Sequence, residues 1–181
     1  MSDQSDAATA TATRVWLLAS IATLVLVADI ITKTIAVEQL EGQDPIPVLG
    51  GLIYLQLLRN PGAAFSMATG FTWILTVIAI AVVLVIVRVA RRLRSTGWAV
   101  ALGLVLGGAL GNLTDRIFRA PGPLQGHVVD MVSPFAPNGE AFAVFNLADS
   151  AITCGGVLLV LLALLGRELD GTRAGKEPAG E

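Results

Sequence analysis

Four long apolar segments constrain what this chain of 181 residues can fold into. The clearest runs from Phe71 to Ala90 and holds no charge before Arg88, so it is long enough to cross a hydrocarbon core of roughly 30 Å. The other three run from Val15 to about Val37, from Gly97 to about Phe118, and from Val144 to Gly166. Because 54% of the residues are hydrophobic and only 14% are charged, the chain is predicted to be an all-α integral membrane protein with four transmembrane helices.

The polar segments predict the rest of the organisation. Residues 1–14 show no apolar periodicity and are predicted to form a disordered tail, with a second tail at 167–181 and one membrane domain at 15–166. The run Leu52–Leu58 is short, apolar and partly alternating, so it predicts a small β-sheet against the membrane surface within 38–70. A cleaved signal peptide is the alternative for the first segment, but no clear small-x-small cleavage site precedes a soluble domain.

A cluster of arginines predicts the orientation of the chain in the membrane. Arg88, Arg91, Arg92 and Arg94 lie in or beside the short connection between the second and third segments. Since positively charged connections stay in the cytoplasm, both termini are predicted to be cytoplasmic. The polar connections 38–70 and 119–143, and the sheet in the first of them, are then extracytoplasmic.

Polar residues converge on that extracytoplasmic side. The first helix is predicted to end in Asp29 and Lys33, which have the i,i+4 spacing of an ion pair. Asp115 lies at the outer end of the third helix and Asp149 at the outer end of the fourth. Ionisable groups near membrane depth are costly to keep, so their presence at one face indicates a functional site. The Gly/Ala-rich second half of the third segment predicts close approach of a neighbouring helix.

The aspartates differ in their surroundings. Asp130 lies in an apolar run without a Lys or Arg within ten residues, so burial is expected to raise its pKa. Asp149 begins a helix, where the macrodipole favours a negative charge. One carboxyl that holds a proton beside one that accepts a proton is the requirement for aspartic-type hydrolysis. Arg116 could pair with Asp115 and make it structural, yet these arguments alone do not separate Asp130 from Asp115.

Asparagines precede two of the acids at the same spacing. Asn112 and Asn146 each stand three residues before an aspartate, in the shared pattern Asn-Leu-x-Asp. At this spacing each asparagine is predicted to lie beside its own aspartate on one helix face and to orient it.

Other kinds of site fit the sequence poorly. The chain has no His-Glu-x-x-His pattern, and its one histidine, His127, is the only base for a serine triad, so no metal site or cofactor is predicted. Lys33 and Lys176 are poorly placed for a Ser-Lys pair, and Cys154 is predicted to be a small packing residue. The net charge of −2 gives no indication of nucleic-acid binding. A proton-coupled transporter and a structural or assembly protein remain alternatives, although a transporter would place its acids near the bilayer midplane with repeat symmetry.

The polar motifs together resemble the lipoprotein signal peptidase family (signal peptidase II) over nearly all of the hydrophobic length. The motifs that carry the resemblance are Asp29-x-x-x-Lys33, Asn60-x-Gly62-Ala63-Ala64-Phe65, Gly107-Gly108-Ala109-x-Gly111-Asn112-x-x-Asp115-Arg116, Val128-Val129-Asp130 and Phe145-Asn146-x-Ala148-Asp149. The resemblance implies a multi-pass aspartic endopeptidase of the bacterial cell membrane. Its substrates would be prolipoproteins, cut just before a cysteine that carries diacylglycerol, and its other partners would be membrane lipids.

The resemblance also implies roles for single residues. Asp130 and Asp149 would form the catalytic dyad, with Asp115 in reserve. The residues that would support the site or bind substrate are Asn60, Asn112, Arg116, Asn146, Asp29, Lys33, Asp115, Gly108 and Ala148. This chain departs from the family pattern at Met131, where phenylalanine is usual, and in a longer connection over 117–126. Both departures bear on the shape of the loops and leave the carboxylates in place.

Overall fold

The structure is a computed structural model that describes residues 2–62 and 72–173, with side chains from residue 14. Its four long helices are α1 (Ser2–Leu40), α2 (Thr72–Ala90), α3 (Thr96–Phe118) and α4 (Leu147–Leu164). Each is long and apolar enough to cross a membrane, α1 through its part Arg14–Leu40. The prediction of four membrane-spanning helices is therefore confirmed, with ends within a few residues of those expected for α2, α3 and α4.

Helix α1 is longer than predicted at both ends. It begins at Ser2, so residues 2–13 continue the helix where a disordered tail was expected. The physical reason is that an existing helix extends without a new nucleus, and this segment contains no Gly or Pro to stop it. At its other end α1 continues to Leu40, so Asp29 and Lys33 lie within the helix and do not end it.

Helix α3 lies at the centre of the bundle, with α1 and α4 packed closely against it. A Cβ atom at Gly108 would stand 2.4 Å from the Ala148 carbonyl oxygen of α4. A Cβ atom at Gly111 would stand 2.4 Å from Asp29 Oδ2 of α1. The predicted close approach at the glycine-rich half of α3 is confirmed, and it brings the polar parts of α1, α3 and α4 together.

The strands form one antiparallel sheet in the order β1 (Ile46–Val48), β2 (Ile53–Asn60) and β3 (Val128–Pro134). A sheet was predicted from the first long connection alone, and this is corrected because its third strand comes from the connection between α3 and α4. β3 is buried on both faces for most of its length. It therefore lacks the polar alternation by which a surface strand is recognised in a sequence.

The register of the sheet places Asn60 near Asp130. Asn60 pairs with Val128 and Leu58 pairs with Asp130, after a bulge between Leu55 and Leu58. Asn60 and Asp130 are thus diagonal neighbours on one face of the sheet, within reach of each other's side chains. The turn that follows begins with Gly62 N–H donating to Asn60 Oδ1 at 2.8 Å. Ala63 to Phe65, predicted to continue this turn, lie outside the described residues.

A short bridge joins β3 to the start of α4. The N–H groups of Met131 and Val132 both donate to the Phe145 carbonyl oxygen, and Phe145 N–H donates back to Val132. The residues just before α4 are therefore fixed against the strand that carries Asp130.

Candidate active site

Asp130 is buried in β3 and held by two amide side chains. Asn60 Nδ2 donates to its Oδ2 at 2.8 Å, and Asn146 Nδ2 donates to its Oδ1 at 2.7 Å. One of these donors comes from β2 and the other from the start of α4, so both oxygens of the carboxyl are fixed from opposite sides.

Asp149 is part of the cap of α4. Asn146 is the N-cap residue, and its side-chain oxygen accepts from Asp149 N–H at 2.9 Å, while Asp149 Oδ2 accepts from Asn146 N–H at 3.2 Å. This reciprocal capping box satisfies backbone donors that would otherwise be free at a helix start. Asp149 Oδ1 accepts from Asn112 Nδ2 of α3 at 2.8 Å.

The prediction that each asparagine would orient the aspartate of its own motif is wrong for Asn112, whereas Asn146 contacts its own aspartate, Asp149, through the cap and also binds Asp130. Asn112 donates to Asp149, not to Asp115. Asn146 donates to Asp130 and takes part in the cap with Asp149. The prediction failed for Asn112 because Asp115 is bound by Lys33, Arg119 and the Val129 N–H, while the packing of α4 against α3 brings Asp149 within reach of the Asn112 amide.

A buried ionic cluster lies beneath the asparagines. Lys33 Nζ is 2.7 Å from Asp29 Oδ2 and 3.0 Å from Asp115 Oδ2, and it donates to Asn112 Oδ1 at 2.9 Å. The predicted Asp29–Lys33 pair is confirmed, and it is buried inside the bundle. By occupying Asn112 Oδ1, the ammonium group fixes the amide so that its NH₂ faces Asp149.

The cluster also binds the backbone beside each candidate aspartate. Asp29 Oδ1 accepts from Ala148 N–H at 2.9 Å, and Asp115 Oδ2 accepts from Val129 N–H at 3.1 Å. Ala148 and Val129 directly precede Asp149 and Asp130. Asp29 and Asp115 therefore support the site through the backbone, with Gly108 allowing the approach of Ala148.

The arginine that pairs with Asp115 is Arg119, where Arg116 was expected. Arg119 stands four residues after Asp115 on the same helix face, a spacing that could have identified it in the sequence. Arg116 instead lines a cavity, and its Nη1 is buried without a hydrogen-bond partner among the described residues.

Both candidate aspartates line this cavity, which has a volume of about 730 Å³. Besides Asp130, Asp149 and Arg116, its wall includes Asn60, Ser150 and the apolar residues Leu58, Phe142, Val144 and Phe145. Asp115, Asp29 and Lys33 are not part of the wall. Exposure to the cavity therefore distinguishes Asp130 and Asp149 from Asp115 as candidates for catalysis. The sequence alone did not make that distinction.

Burial raises the pKa of the Asp130 carboxyl to about 7, and the negative charge of Asp149 contributes to this rise. The hydrogen bonds from Asn60 and Asn146 and the charge of Lys33 act in the opposite direction, since each favours the ionised form. The predicted direction for Asp130 is confirmed. A carboxyl with this pKa can hold a proton near neutral pH and release it during a reaction.

The structure bears on two further predictions, those for Met131 and Cys154. Met131 is buried against Ala36 and Leu40 in the core between α1 and the sheet, so this departure from the family pattern affects packing on the side of β3 away from Asp130. Cys154 is exposed and lines the cavity, which corrects its prediction as a packing residue. Within residues 2–62 and 72–173, no group of three His, Cys, Asp or Glu side chains is placed to hold a metal ion.

Comparisons with known proteins point to one family. Residues 21–165 match the family described as Signal peptidase (SPase) II. The lipoprotein signal peptidase of Rhodococcus jostii (strain RHA1) is 57% identical over 161 residues, which cover 89% of this chain and 79% of that protein. The lipoprotein signal peptidase of Streptomyces griseus is 52% identical over 155 residues, covering 86% and 76% respectively.

Two solved structures of bacterial membrane enzymes share the fold. One, at 26% sequence identity, superposes with a TM-score of 0.69 and covers 89% of this chain and 92% of its own. The other, at 31% identity, has a TM-score of 0.68 and covers 82% and 92%. With a family match over most of its length and relatives more than half identical to it, this chain belongs to the signal peptidase II family.

Proposed function

We propose that this membrane protease removes signal peptides from lipid-modified prolipoproteins by acid–base catalysis between Asp130 and Asp149. The observation that carries the proposal is the position of Asn146. Its side chain donates to Asp130 and its backbone N–H donates to Asp149, so one residue holds both carboxyls on the wall of one cavity. Family membership supports the substrate class, namely a precursor with a diacylglyceryl cysteine after the cleaved bond.

In the proposed reaction Asp149 is the resting base and Asp130 the resting acid. Asp149 takes a proton from a water molecule as the water oxygen attacks the scissile carbonyl carbon. Asp130 gives its proton to the carbonyl oxygen, and a tetrahedral diol forms. The C–N bond then breaks as the amine receives a proton from Asp149 and the diol returns a proton to Asp130, which restores both groups. Arg116, with its positive charge at the cavity wall, is suited to hold a substrate carbonyl.

The rate of cleavage is expected to follow a bell-shaped dependence on pH. With a pKa of about 7, Asp130 loses its catalytic proton above neutral pH, so the rate falls on the alkaline side. On the acid side the rate falls as the remaining negative charge of the pair is protonated, and the two limbs report the pair and not single residues. The measurement is turnover of a lipidated precursor in nanodiscs, with folding checked at each pH. A single limb that rises well above neutral, or loss of activity with a chelator, would argue for hydroxide- or metal-driven hydrolysis.

We propose an orientation with both termini in the cytoplasm and the sheet and cavity outside. Single cysteines at Gln43 and Gln125, introduced with Cys154→Ala, are expected to react with an impermeant thiol reagent applied to the outside of cells. Cysteines at Thr96 and Gly175 are expected to react only after the membrane is opened. The opposite pattern would move the cavity to the cytoplasm, where the exported signal peptide junction is absent, and would reject the proposed substrate.

A further inference from the structure

An arginine-rich surface lies at the end of the bundle opposite the cavity. Three separate segments contribute to it, namely the last turn of α2, the connection from α2 to α3, and the residues that follow α4. We call it the arginine surface, and its exposed members are Arg88, Arg91, Arg92, Arg94, Arg167 and Arg173.

Hydrogen bonds give the arginine surface a fixed shape. The Leu169 carbonyl oxygen accepts from both Arg94 N–H and Ser95 N–H at 3.1 Å. The indole Nε1 of Trp98 donates to the Arg167 carbonyl oxygen at 2.8 Å, and Arg167 forms a β-bridge with Arg173. The first part of the predicted C-terminal tail is thus folded back onto the α2–α3 connection. Its arginines are held beside those of that connection.

The positive charge of this surface is only partly offset within the described part of the chain, where hydrogen bonds from Thr172 and, to a smaller degree, the charge of Arg94 lower the pKa of Asp170. None of its six arginines lies within ion-pair distance of a carboxylate there. Glu168 and Asp170 are the acidic residues of the folded-back segment, and Asp170 accepts hydrogen bonds from Thr172 of its own turn at 2.9 and 2.7 Å. By sequence, residues 174–181 add one lysine and two glutamates, so an excess of positive charge remains.

The position and chemistry of these side chains fit lipid phosphate groups. Helix α2 has 19 residues, a length of roughly 28 Å at 1.5 Å per residue, so Arg88 in its last turn reaches the boundary of the hydrocarbon core. All six side chains are arginine and none is lysine. The planar guanidinium group binds phosphate oxygens in pairs and is more weakly hydrated than an ammonium group.

We propose that the arginine surface binds the headgroup phosphates of anionic phospholipids and so fastens α2, α3 and the end of α4 to one another. The general bias of positive residues towards the cytoplasm explains why charge lies at this end of the bundle. That bias alone does not predict that the protein retains one kind of lipid over another. The folded surface, with three segments presenting guanidinium groups together, is what predicts selective binding. The inference rests on the chain being a membrane protein and not on its proposed reaction.

The test is native mass spectrometry of the purified full chain in detergent micelles with equal amounts of phosphatidylglycerol and phosphatidylcholine. The wild type is expected to retain at least about tenfold more phosphatidylglycerol than phosphatidylcholine, since each arginine near an anionic surface raises the binding constant about fivefold. The triple variant Arg91→Gln, Arg92→Gln, Arg94→Gln is expected to lose most of this preference for phosphatidylglycerol, because only three of the six arginines remain. Arg59→Gln, on the sheet at the other end, is the matched control and should retain phosphatidylglycerol like the wild type.

Three results would overturn the proposal. Equal retention of both lipids by the wild type, or undiminished retention by the triple variant, would leave only a general charge bias. Displacement of the bound lipid by millimolar inorganic phosphate, with phosphate raising the Tm as much as phosphatidylglycerol does, would identify a site for free phosphate. The triple variant should cleave precursor in zwitterionic detergent like the wild type, because its arginines lie far from the cavity. That measurement also shows that the variant is folded.

Discussion

Asp130→Asn and Asp149→Asn are each expected to lower the rate of precursor cleavage by at least about 10³-fold, because each removes one half of an acid–base pair. Asparagine preserves the size of the side chain, so the cavity and the bundle should persist. The measurement is turnover of a diacylglyceryl-modified precursor by purified variants, with the Tm of each as the check on folding. The double variant should lose little more than either single variant, since both groups act in the same step.

The control for this experiment is Asp44→Asn. Asp44 is an exposed aspartate that precedes β1, and its variant should cleave like the wild type. Activity near the wild-type level in either dyad variant would reject the assignment. If Asp115→Asn alone abolished cleavage without a loss of Tm, the reserve assignment of Asp115 would replace it.

Lys33→Met is expected to cause the largest loss of stability of any single substitution considered for this protein. The side chains of Lys33 and Asp29 are 1% and 0% exposed, and that of Asp115 is 4% exposed. Removal of the ammonium group leaves two buried carboxylates with reduced compensation. Breaking a buried pair in this way costs about 3–5 kcal/mol, or roughly 6–20 °C in Tm for a chain of this size. The measurement is thermal unfolding in detergent, and cleavage should fall as well because Asn112 loses the partner that orients it.

Two companion variants separate this explanation from a loss of packing. Arg59→Gln breaks an ion pair with Glu41 whose side chains are 41% and 58% exposed, so it should cost less than about 1 kcal/mol. Adding Asp29→Asn to Lys33→Met removes one of the uncompensated charges and should recover part of the lost Tm. A double variant less stable than Lys33→Met alone would show that the charge of Asp29 is not what destabilises the single variant.

The sequence predicted the membrane helices well because their signal is local. A run such as Phe71–Ala90 can be recognised as a membrane-spanning helix from its length and lack of charge alone. The same holds for the Asp29–Lys33 pair, whose members are one helical turn apart. The glycines of α3 likewise indicated close packing without naming the partner, because small residues have that effect against any neighbour.

The missed features depend on partners far away in the chain. β3 is a strand because it pairs with β2, more than 60 residues earlier, and nothing in its own seven residues requires that. Asn112 donates to Asp149 and Asn146 donates to Asp130 because α3, β3 and the start of α4 meet at these residues, which a spacing rule within one helix cannot describe. Arg119 was a different case. Its i,i+4 spacing from Asp115 was visible in the sequence, but the adjacent Arg116 was considered as the partner of Asp115 instead.

The buried cluster around Lys33 has a consequence for how the chain is made. Lys33 lies 79 residues before Asn112, and Asp29 lies 119 residues before Ala148. At about 5–20 residues per second, roughly 4–16 s pass between the synthesis of Lys33 and that of Asn112. During that interval Asp29 and Lys33, one turn apart, can neutralise only each other. Each residue of the i,i+4 pair thus acts as the counter-ion of the other while the first helix enters the membrane, and their later partners make the same two charges the support of the candidate active site.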